Sequence, residues 1–272
     1  MFAYPISVAG IRSRALQAGT SGPLVLLIHG LSSRADRWLR NLDTLAAAGL
    51  RVLAVDLPGH GFADKGAGFD YTAAGYSLWL RKLLDALGEK KVAVVGTSFG
   101  GLVAGRFALD WPERVHALTA IGAVGLVPMG EARRLRTAAW LPEMTRGAIR
   151  TRLLNSFVDK SFVTDDLIEE DFRINTSPGA AEAFACLARY YETTIDDDAV
   201  VPQLATRDNP FPVQFIWGEQ DASVAPEYGV EANRLLPGSR LDMIADAAHL
   251  PYMERTEAFN QVLLRFIRDA LH

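Results

Sequence analysis

Short apolar runs alternate with amphipathic stretches along most of the chain. Runs of consecutive apolar residues, such as Leu24–Ile28 and Val92–Val95, are typical of strands buried on both faces of a parallel sheet. Between such runs, apolar residues recur at helical spacing, as in Thr72–Leu87, and Gly88 then ends the pattern. Strand and helix therefore alternate, which predicts an α/β protein with a mostly parallel central sheet and helices on both faces.

The same patterns predict where the elements lie. The expected strands are 4–9 and 12–18, paired through a turn at Gly10, followed by 24–28, 51–56, 91–96, 115–121, 211–218 and 240–244. The expected helices are 37–48, 72–87, 100–111, 131–141, 178–191, 226–236 and 255–271.

The alternation stops at about residue 124 and resumes after residue 207. Segment 124–207 contains several predicted helices and no strand of the buried type. We therefore expect residues 1–123 and 208–272 to form one catalytic core. Residues 124–207 are expected to form a helical lid, or cap, inserted after the sixth strand.

Composition excludes several classes of function. The chain has 272 residues, 49% hydrophobic and 22% charged, with a formal net charge of -4. A globular domain fits these values, whereas a nucleic-acid-binding surface or a polybasic membrane anchor does not. One cysteine excludes an intrachain disulfide, and the first ten residues lack the pattern of a secretion signal. These observations lead us to expect a cytoplasmic protein. We expect no cofactor or metal, because no phosphate-loop or metal-ligand motif is present. The oligomeric state stays open.

The sharpest motif is the run from Gly96 to Gly100, GTSFG, with Ser98 at its centre. It stands between a strand and a helix, which is where a nucleophile elbow places its serine on a strained turn. The two glycines are expected where the helix returns close to the strand and a side chain would clash. Ser98 is therefore the predicted nucleophile.

A serine needs a base, and the base needs an orienting carboxylate. Among five histidines, His249 is the one that follows a predicted strand near the same edge of the sheet. Asp221 follows the neighbouring strand and is the predicted carboxylate. Glu219 is nearer the strand end and expected in solvent, and Asp246 is too close to His249 in sequence to hold the ring from its far side.

The remaining site predictions concern the oxyanion and the substrate. The backbone N–H groups of Leu31 and Phe99 are expected to bind the oxyanion. Ser32 could add its hydroxyl, although a turn or capping role is an equal alternative. The aromatic side chains of the lid are expected partly to pack and partly to line an apolar pocket over the serine. The residues predicted to bind substrate are Ser32, Trp140, Phe157 and Tyr190.

Five short motifs in order resemble the landmarks of the α/β-hydrolase family. They are His29-Gly30, Asp56-Leu57-Pro58-Gly59-His60-Gly61, Gly96-Thr97-Ser98-Phe99-Gly100-Gly101, Gly218-Glu219-Gln220-Asp221 and Ala248-His249-Leu250-Pro251. The resemblance covers the chain outside residues 124–207 and includes the order serine, acid, histidine. It implies a serine nucleophile and an acyl-enzyme. Relatives that open epoxides or remove halide carry an aspartate at the elbow, which Ser98 argues against.

The expected activity is hydrolysis of carboxylic esters of small to medium apolar substrates. The first alternative is cleavage of a carbon–carbon bond in vinylogous diketo acids from aromatic ring fission. Relatives with that activity often have a glycine- and proline-rich oxyanion loop, whereas this chain has Leu31–Arg34, but its segment 251–261 is similar to theirs. Lid arginines such as Arg173 and Arg189 could pair with such a substrate's carboxylate or simply be solvated. Haloperoxidase-like and lactonase-like enzymes share the triad, and a slow-turnover ligand receptor on the same fold is the second alternative.

Overall fold

An eight-stranded sheet runs through the computed structural model, which describes all 272 residues. The strand order is β1-β2-β4-β3-β5-β6-β7-β8. β1 and β2 form a hairpin, β2 is antiparallel to β4, and all other neighbours are parallel. The strands are β1 Phe2–Val8, β2 Ile11–Ala18, β3 Leu24–Ile28, β4 Arg51–Val55, β5 Val92–Thr97, β6 Val115–Ile121, β7 Val213–Gly218 and β8 Arg240–Ile244.

Helices cover both faces of the sheet, which confirms the predicted α/β architecture. Successive residues of β3 point to opposite faces, so Leu26 packs in one buried cluster and Leu27 in the other. The helices are α1 Leu39–Ala47, α2 Ala73–Ala86, α3 Phe99–Asp110, α4 Glu131–Trp140, α5 Arg146–Ser156, α6 Asp165–Asn175, α7 Ala180–Thr193, α8 Val200–Leu204, α9 Glu227–Leu235, α10 Pro251–Glu254 and α11 Thr256–Leu271. Helices α1 and α11 contribute to one cluster, and α2, α3, α7 and α8 to the other.

Helices α4 to α8 follow one another between β6 and β7. Because β6 and β7 are hydrogen-bonded neighbours, the chain leaves the sheet and returns beside its point of departure. The sequence pattern did not delimit α5 and α6. Their starts are marked by Thr145 and Thr164, whose hydroxyls accept hydrogen bonds from the N–H groups of Ala148 and Leu167 at 3.1 Å. No helix combines the length and the apolar character needed to cross a membrane.

Candidate active site

Ser98 lies on a strained turn between β5 and α3. Its backbone angles are φ 55° and ψ -121°, a conformation that costs a residue with a side chain on the order of 1–3 kcal/mol. Hydrogen bonds from the surrounding structure hold it there, since the Ser98 N–H donates to the carbonyl of Ile121 at 2.8 Å. The strain predicted for the elbow serine is confirmed.

The glycines on either side of Ser98 allow two backbone segments to approach closely. A Cβ at Gly96 would lie 2.0 Å from the carbonyl oxygen of Gly100. A Cβ at Gly100 would lie 2.4 Å from the carbonyl oxygen of His29. Both distances are too short for a side chain, as the sequence pattern predicted.

The His249 ring is paired with the Asp221 carboxylate. Nδ1 of His249 lies 2.8 Å from Oδ2 of Asp221, and Asp221 is 3% exposed. The N–H groups of Ser223 and Val224 donate to the other oxygen, each at 2.8 Å. Because an ionised carboxylate only accepts, Nδ1 carries the proton and Nε2 is free to accept one.

Glycines also make room for this pair. A Cβ at Gly218, the end of β7, would lie 2.0 Å from the carbonyl oxygen of Ala248, so the histidine loop packs directly on the strand end. Gly122 has φ 47°, and its Cβ would lie 3.0 Å from Asp221 Oδ2 and 3.2 Å from His249 Nδ1. The sequence patterns did not single out Gly122. The other carboxylates considered for the triad, Glu219 and Asp246, are exposed.

A cavity of about 860 Å³ lies over the serine. Ser98 and His249 both line it, together with Leu31, Ser32 and Trp140 from the predicted set. Phe99 is fully buried as the first residue of α3, where a backbone N–H has no partner inside the helix. A Cβ at Gly30 would lie 3.6 Å from Ser98 Oγ, so the loop that carries Leu31 faces the serine.

Two predicted substrate-binding residues lie away from the cavity. Phe157 is 1% exposed and stacks on Phe162 with ring centroids 5.1 Å apart, inside a small cluster formed with α5 and α6. Tyr190 is 4% exposed and donates its hydroxyl to Asp198 at 2.7 Å. Packing therefore uses both side chains. The neighbouring Tyr191 lines the cavity instead.

The cavity is lined by hydrophobic and charged residues together, and arginines are among the charged ones. Arg37, Arg133, Arg136 and Arg152 line it, whereas Arg173 and Arg189 do not. Arg37 is paired with Asp171, and Arg133 donates to the Ser223 carbonyl at 2.6 Å. No group of three or more histidine, cysteine, aspartate or glutamate side chains is arranged to hold a metal ion.

Like Arg133, Arg152 is a partly buried cavity arginine without a carboxylate partner. Its guanidinium donates to the carbonyl of Glu143 at 3.0 Å and to Sδ of Met144 at 3.3 Å, and it lies over the Trp140 ring at 5.0 Å. None of these groups carries a negative charge. Burial lowers the pKa of Arg152, which still leaves a cation at neutral pH.

His29 and His60 are fully buried and do not line the cavity. Nε2 of His29 accepts a hydrogen bond from the N–H of Leu57 at 2.9 Å. Burial lowers the pKa of His29 to about 4 and that of His60 to about 3, so both are neutral at pH 7.

Comparison with known proteins agrees with this fold. A family model described as the alpha/beta hydrolase fold matches residues 23–256. An uncharacterized protein of Mycobacterium tuberculosis is 30% identical over 96% of this chain and 80% of its own length. A 2-hydroxy-6-oxo-2,4-heptadienoate hydrolase of Pseudomonas putida is 28% identical over 98% of this chain and 95% of its own.

Among solved structures, the meta-cleavage product hydrolase CumD from Pseudomonas fluorescens superposes with a TM-score of 0.85 at 27% identity. The alignment covers 98% of both chains. An esterase from Thermogutta terrifontis superposes with a TM-score of 0.80 at 24% identity over 99% of both chains, a likeness of fold alone.

Proposed function

Because the chain belongs to the α/β-hydrolase fold family, we propose that it is a serine hydrolase that cleaves carboxylic esters. Ser98 is the nucleophile, His249 the general base and Asp221 the carboxylate that orients the base. The observation that carries the proposal is the buried Asp221–His249 pair. Its histidine lines the same cavity as the strained Ser98.

The proposed reaction has two steps. His249 Nε2 takes the proton of Ser98 Oγ as the oxygen attacks the ester carbonyl, and the N–H groups of Leu31 and Phe99 bind the oxyanion. Collapse of the tetrahedral intermediate passes the proton to the leaving alcohol and leaves an acyl-enzyme. Water, deprotonated by His249, then releases the acid.

We assign the choice of substrate to residues 124–207, acting as a lid on the core formed by 1–123 and 208–272. Met129, Arg133, Trp140, Arg152 and Tyr191 of this insert line the cavity over Ser98. We keep Ser32 and Trp140 among the residues proposed to bind substrate. Tyr191 replaces Phe157 and Tyr190, which do not line the cavity. The substrate is a small molecule of a size that a cavity of about 860 Å³ accepts.

Ser98→Ala tests the proposal directly. Removing a triad serine lowers kcat by several orders of magnitude, on the order of 10⁴ to 10⁶. The assay follows release of nitrophenol from short nitrophenyl esters, and a fluorophosphonate probe should label wild-type Ser98 alone. Retained activity in the variant, or a label on another residue, would contradict the mechanism. Tight ligand binding without turnover across a panel of esters would favour a receptor.

Arg152 favours a second function, hydrolysis of a carbon–carbon bond in a vinylogous diketo acid. Such a substrate carries a carboxylate, and the unpaired guanidinium of Arg152 offers it a charged partner beside an aromatic ring. Relatives of 28% and 29% identity are named as hydrolases of 2-hydroxy-6-oxo-2,4-heptadienoate and 2-hydroxymuconate semialdehyde. The same triad serves, because His249 can protonate the carbon leaving group.

One comparison separates the two functions. The purified protein is given a ring-fission dienoate, whose visible absorbance is lost on cleavage, and in parallel a neutral nitrophenyl ester. A kcat/KM at least a hundredfold higher for the ester supports the esterase, and the opposite ratio supports the carbon–carbon hydrolase. Ser98→Ala must abolish whichever activity dominates.

A further inference from the structure

The loop that carries the proposed oxyanion donor is held by a helix of the insert. Nδ2 of Asn175, the last residue of α6, donates to the carbonyl of Ser32 at 3.0 Å. Asn175 is 3% exposed and lines the cavity. Ser32 has φ 48°, a conformation that a residue with a side chain adopts only when its surroundings impose it. The hydrogen bond from the Asn175 amide is one of the contacts that hold Ser32 in this conformation.

A second contact joins the same two segments through charge. Asp171, one turn before Asn175 on α6, accepts hydrogen bonds from the guanidinium groups of both Arg34 and Arg37. These three side chains are 3–6% exposed, so the pairing is shielded from solvent. Asp171 is the only carboxylate paired with Arg37, so moving it would leave a buried charge unpaired, whereas Arg34 also pairs with Asp36 and Glu170.

The core fixes the loop from its other side. Asp56, fully buried at the end of β4, accepts a hydrogen bond from the N–H of Ala35 at 2.7 Å. Arg14 bridges Asp56 and Asp36, with nitrogen to oxygen distances of 3.0 and 2.9 Å. The sheet therefore anchors residues 35–36, and α6 anchors residues 32, 34 and 37.

We propose that Asp171 and Asn175 are positioning residues for the oxyanion hole. They hold loop 30–37 so that the Leu31 N–H stays in position to bind the oxyanion that forms at Ser98. The insert then does more than cover the substrate, since one of its helices fixes a group that binds the developing negative charge. The inference rests on the proposed serine hydrolase activity, and it assigns neither residue a contact with substrate.

Asn175→Asp is the informative variant. It keeps the shape of the side chain but replaces the amide donor with an oxygen that repels the Ser32 carbonyl. Because the oxyanion forms only after substrate has bound, kcat should fall roughly ten- to a hundredfold while KM stays within about twofold. Affinity for a trifluoromethyl ketone, which forms a tetrahedral adduct, should fall by the same factor as kcat/KM.

Glu169→Gln is the matched control, because Glu169 lies on the same helix but pairs only with Arg146 and Arg173 near the surface. It should leave kcat unchanged. Asp171→Asn is the second variant, and it should resemble Asn175→Asp if it folds.

Hydrogen exchange of the amides of residues 30–37 gives a readout that needs no activity. Exchange should accelerate in Asn175→Asp and not in Glu169→Gln. Suppose first that the wild-type activity depends on Ser98. Unchanged exchange or an unchanged kcat in Asn175→Asp would then overturn the positioning role. A wild type without activity that depends on Ser98 would instead overturn the proposed function, while the exchange measurement still decides whether α6 holds the loop. A change in KM alone would assign Asn175 to substrate binding and overturn the proposal.

Discussion

The carboxylate of Glu254 accepts a hydrogen bond from the backbone N–H of Ala248 at 2.7 Å, directly before the proposed base. Its other oxygen accepts from the N–H groups of Val158 and Asp159, at 2.6 and 3.1 Å. The N–H of His249 donates in turn to the carbonyl of Ser156 at 3.2 Å. One side chain thus ties the histidine loop to the insert.

Glu254→Gln should lower kcat and stability together. Glutamine has one acceptor oxygen, so either Ala248 or the Val158–Asp159 pair would face an NH₂ group and lose its partner. An unsatisfied buried N–H costs about 1–3 kcal/mol. We expect a fall in kcat/KM of about tenfold and a lower free energy of unfolding in urea. Glu257→Gln, an exposed carboxylate on α11, is the control and should match wild type. Equal kcat in both variants would contradict the role of Glu254.

Gly122→Ala should damage the triad more than its backbone strain explains. The added Cβ would press on the Asp221–His249 pair, and the positive φ itself costs about 1–2 kcal/mol. Gly88→Ala is the control, because Gly88 also has a positive φ, 69°, but nothing lies within 4 Å of its Cβ. Both variants should lose stability in thermal unfolding, and Gly122→Ala should lose more because of the added contacts. Only Gly122→Ala should lose most of its kcat, and equal kcat losses would argue against crowding of the pair.

Arg152→Gln should weaken recognition of anionic substrates alone. A hydrogen bond to a charged group contributes about 1.5–3 kcal/mol, so kcat/KM for a substrate with a carboxylate should fall roughly ten- to a hundredfold. A neutral ester of similar size should be cleaved at the wild-type rate. Arg150→Gln serves as control, because Arg150 lies on the same helix but pairs with Asp165 at the surface. A similar loss for both substrates would mean that Arg152 supports the lid rather than recognises charge.

The two buried histidines should make stability fall as the pH falls below about 6.5. An unfolded histidine has a pKa near 6.5, whereas burial lowers the pKa of His29 to about 4 and that of His60 to about 3. Between about pH 6.5 and 4 the unfolded chain therefore binds protons that the native chain excludes. Each histidine contributes up to about 1.4 kcal/mol per pH unit to this loss.

His60→Gln tests this contribution by removing one titrating group. The free energy of unfolding, measured in urea from pH 7 to 5, should then depend less steeply on pH than in wild type. His272→Gln, at the exposed chain end, should keep the wild-type slope. An unchanged slope in His60→Gln would show that His60 is not the neutral buried group described.

The sheet and the candidate triad could be predicted because their signals are local. Each triad residue follows a strand of the parallel sheet, and the carboxyl ends of parallel strands meet at one edge, so the motifs come together once the strands are recognised. The elbow glycines have a similar local cause, a close approach of strand and helix. The α/β prediction was confirmed for these reasons.

The insert gave weaker signals, because its roles depend on which face of a helix meets the core. Tyr190 and Tyr191 are adjacent aromatic residues in α7, both buried, and no sequence pattern distinguishes the one that packs from the one that lines the cavity. Asp171 and Asn175 are polar residues on a helix, where exposure is the ordinary expectation. Their partners, Arg34 and Ser32, lie more than a hundred positions away.

The chain leaves the sheet after Ile121 and re-enters it at Val213 in the adjacent strand, which makes residues 124–207 resemble an exchangeable cassette. Replacing this segment would break no strand pair, and it would change substrate preference if residues 124–207 select the substrate as proposed. The contacts of α6 with loop 30–37 limit that freedom. A replacement segment would need residues equivalent to Asp171 and Asn175 to hold loop 30–37. These two positions, far from Ser98 in sequence, would therefore have to be retained when the substrate changes.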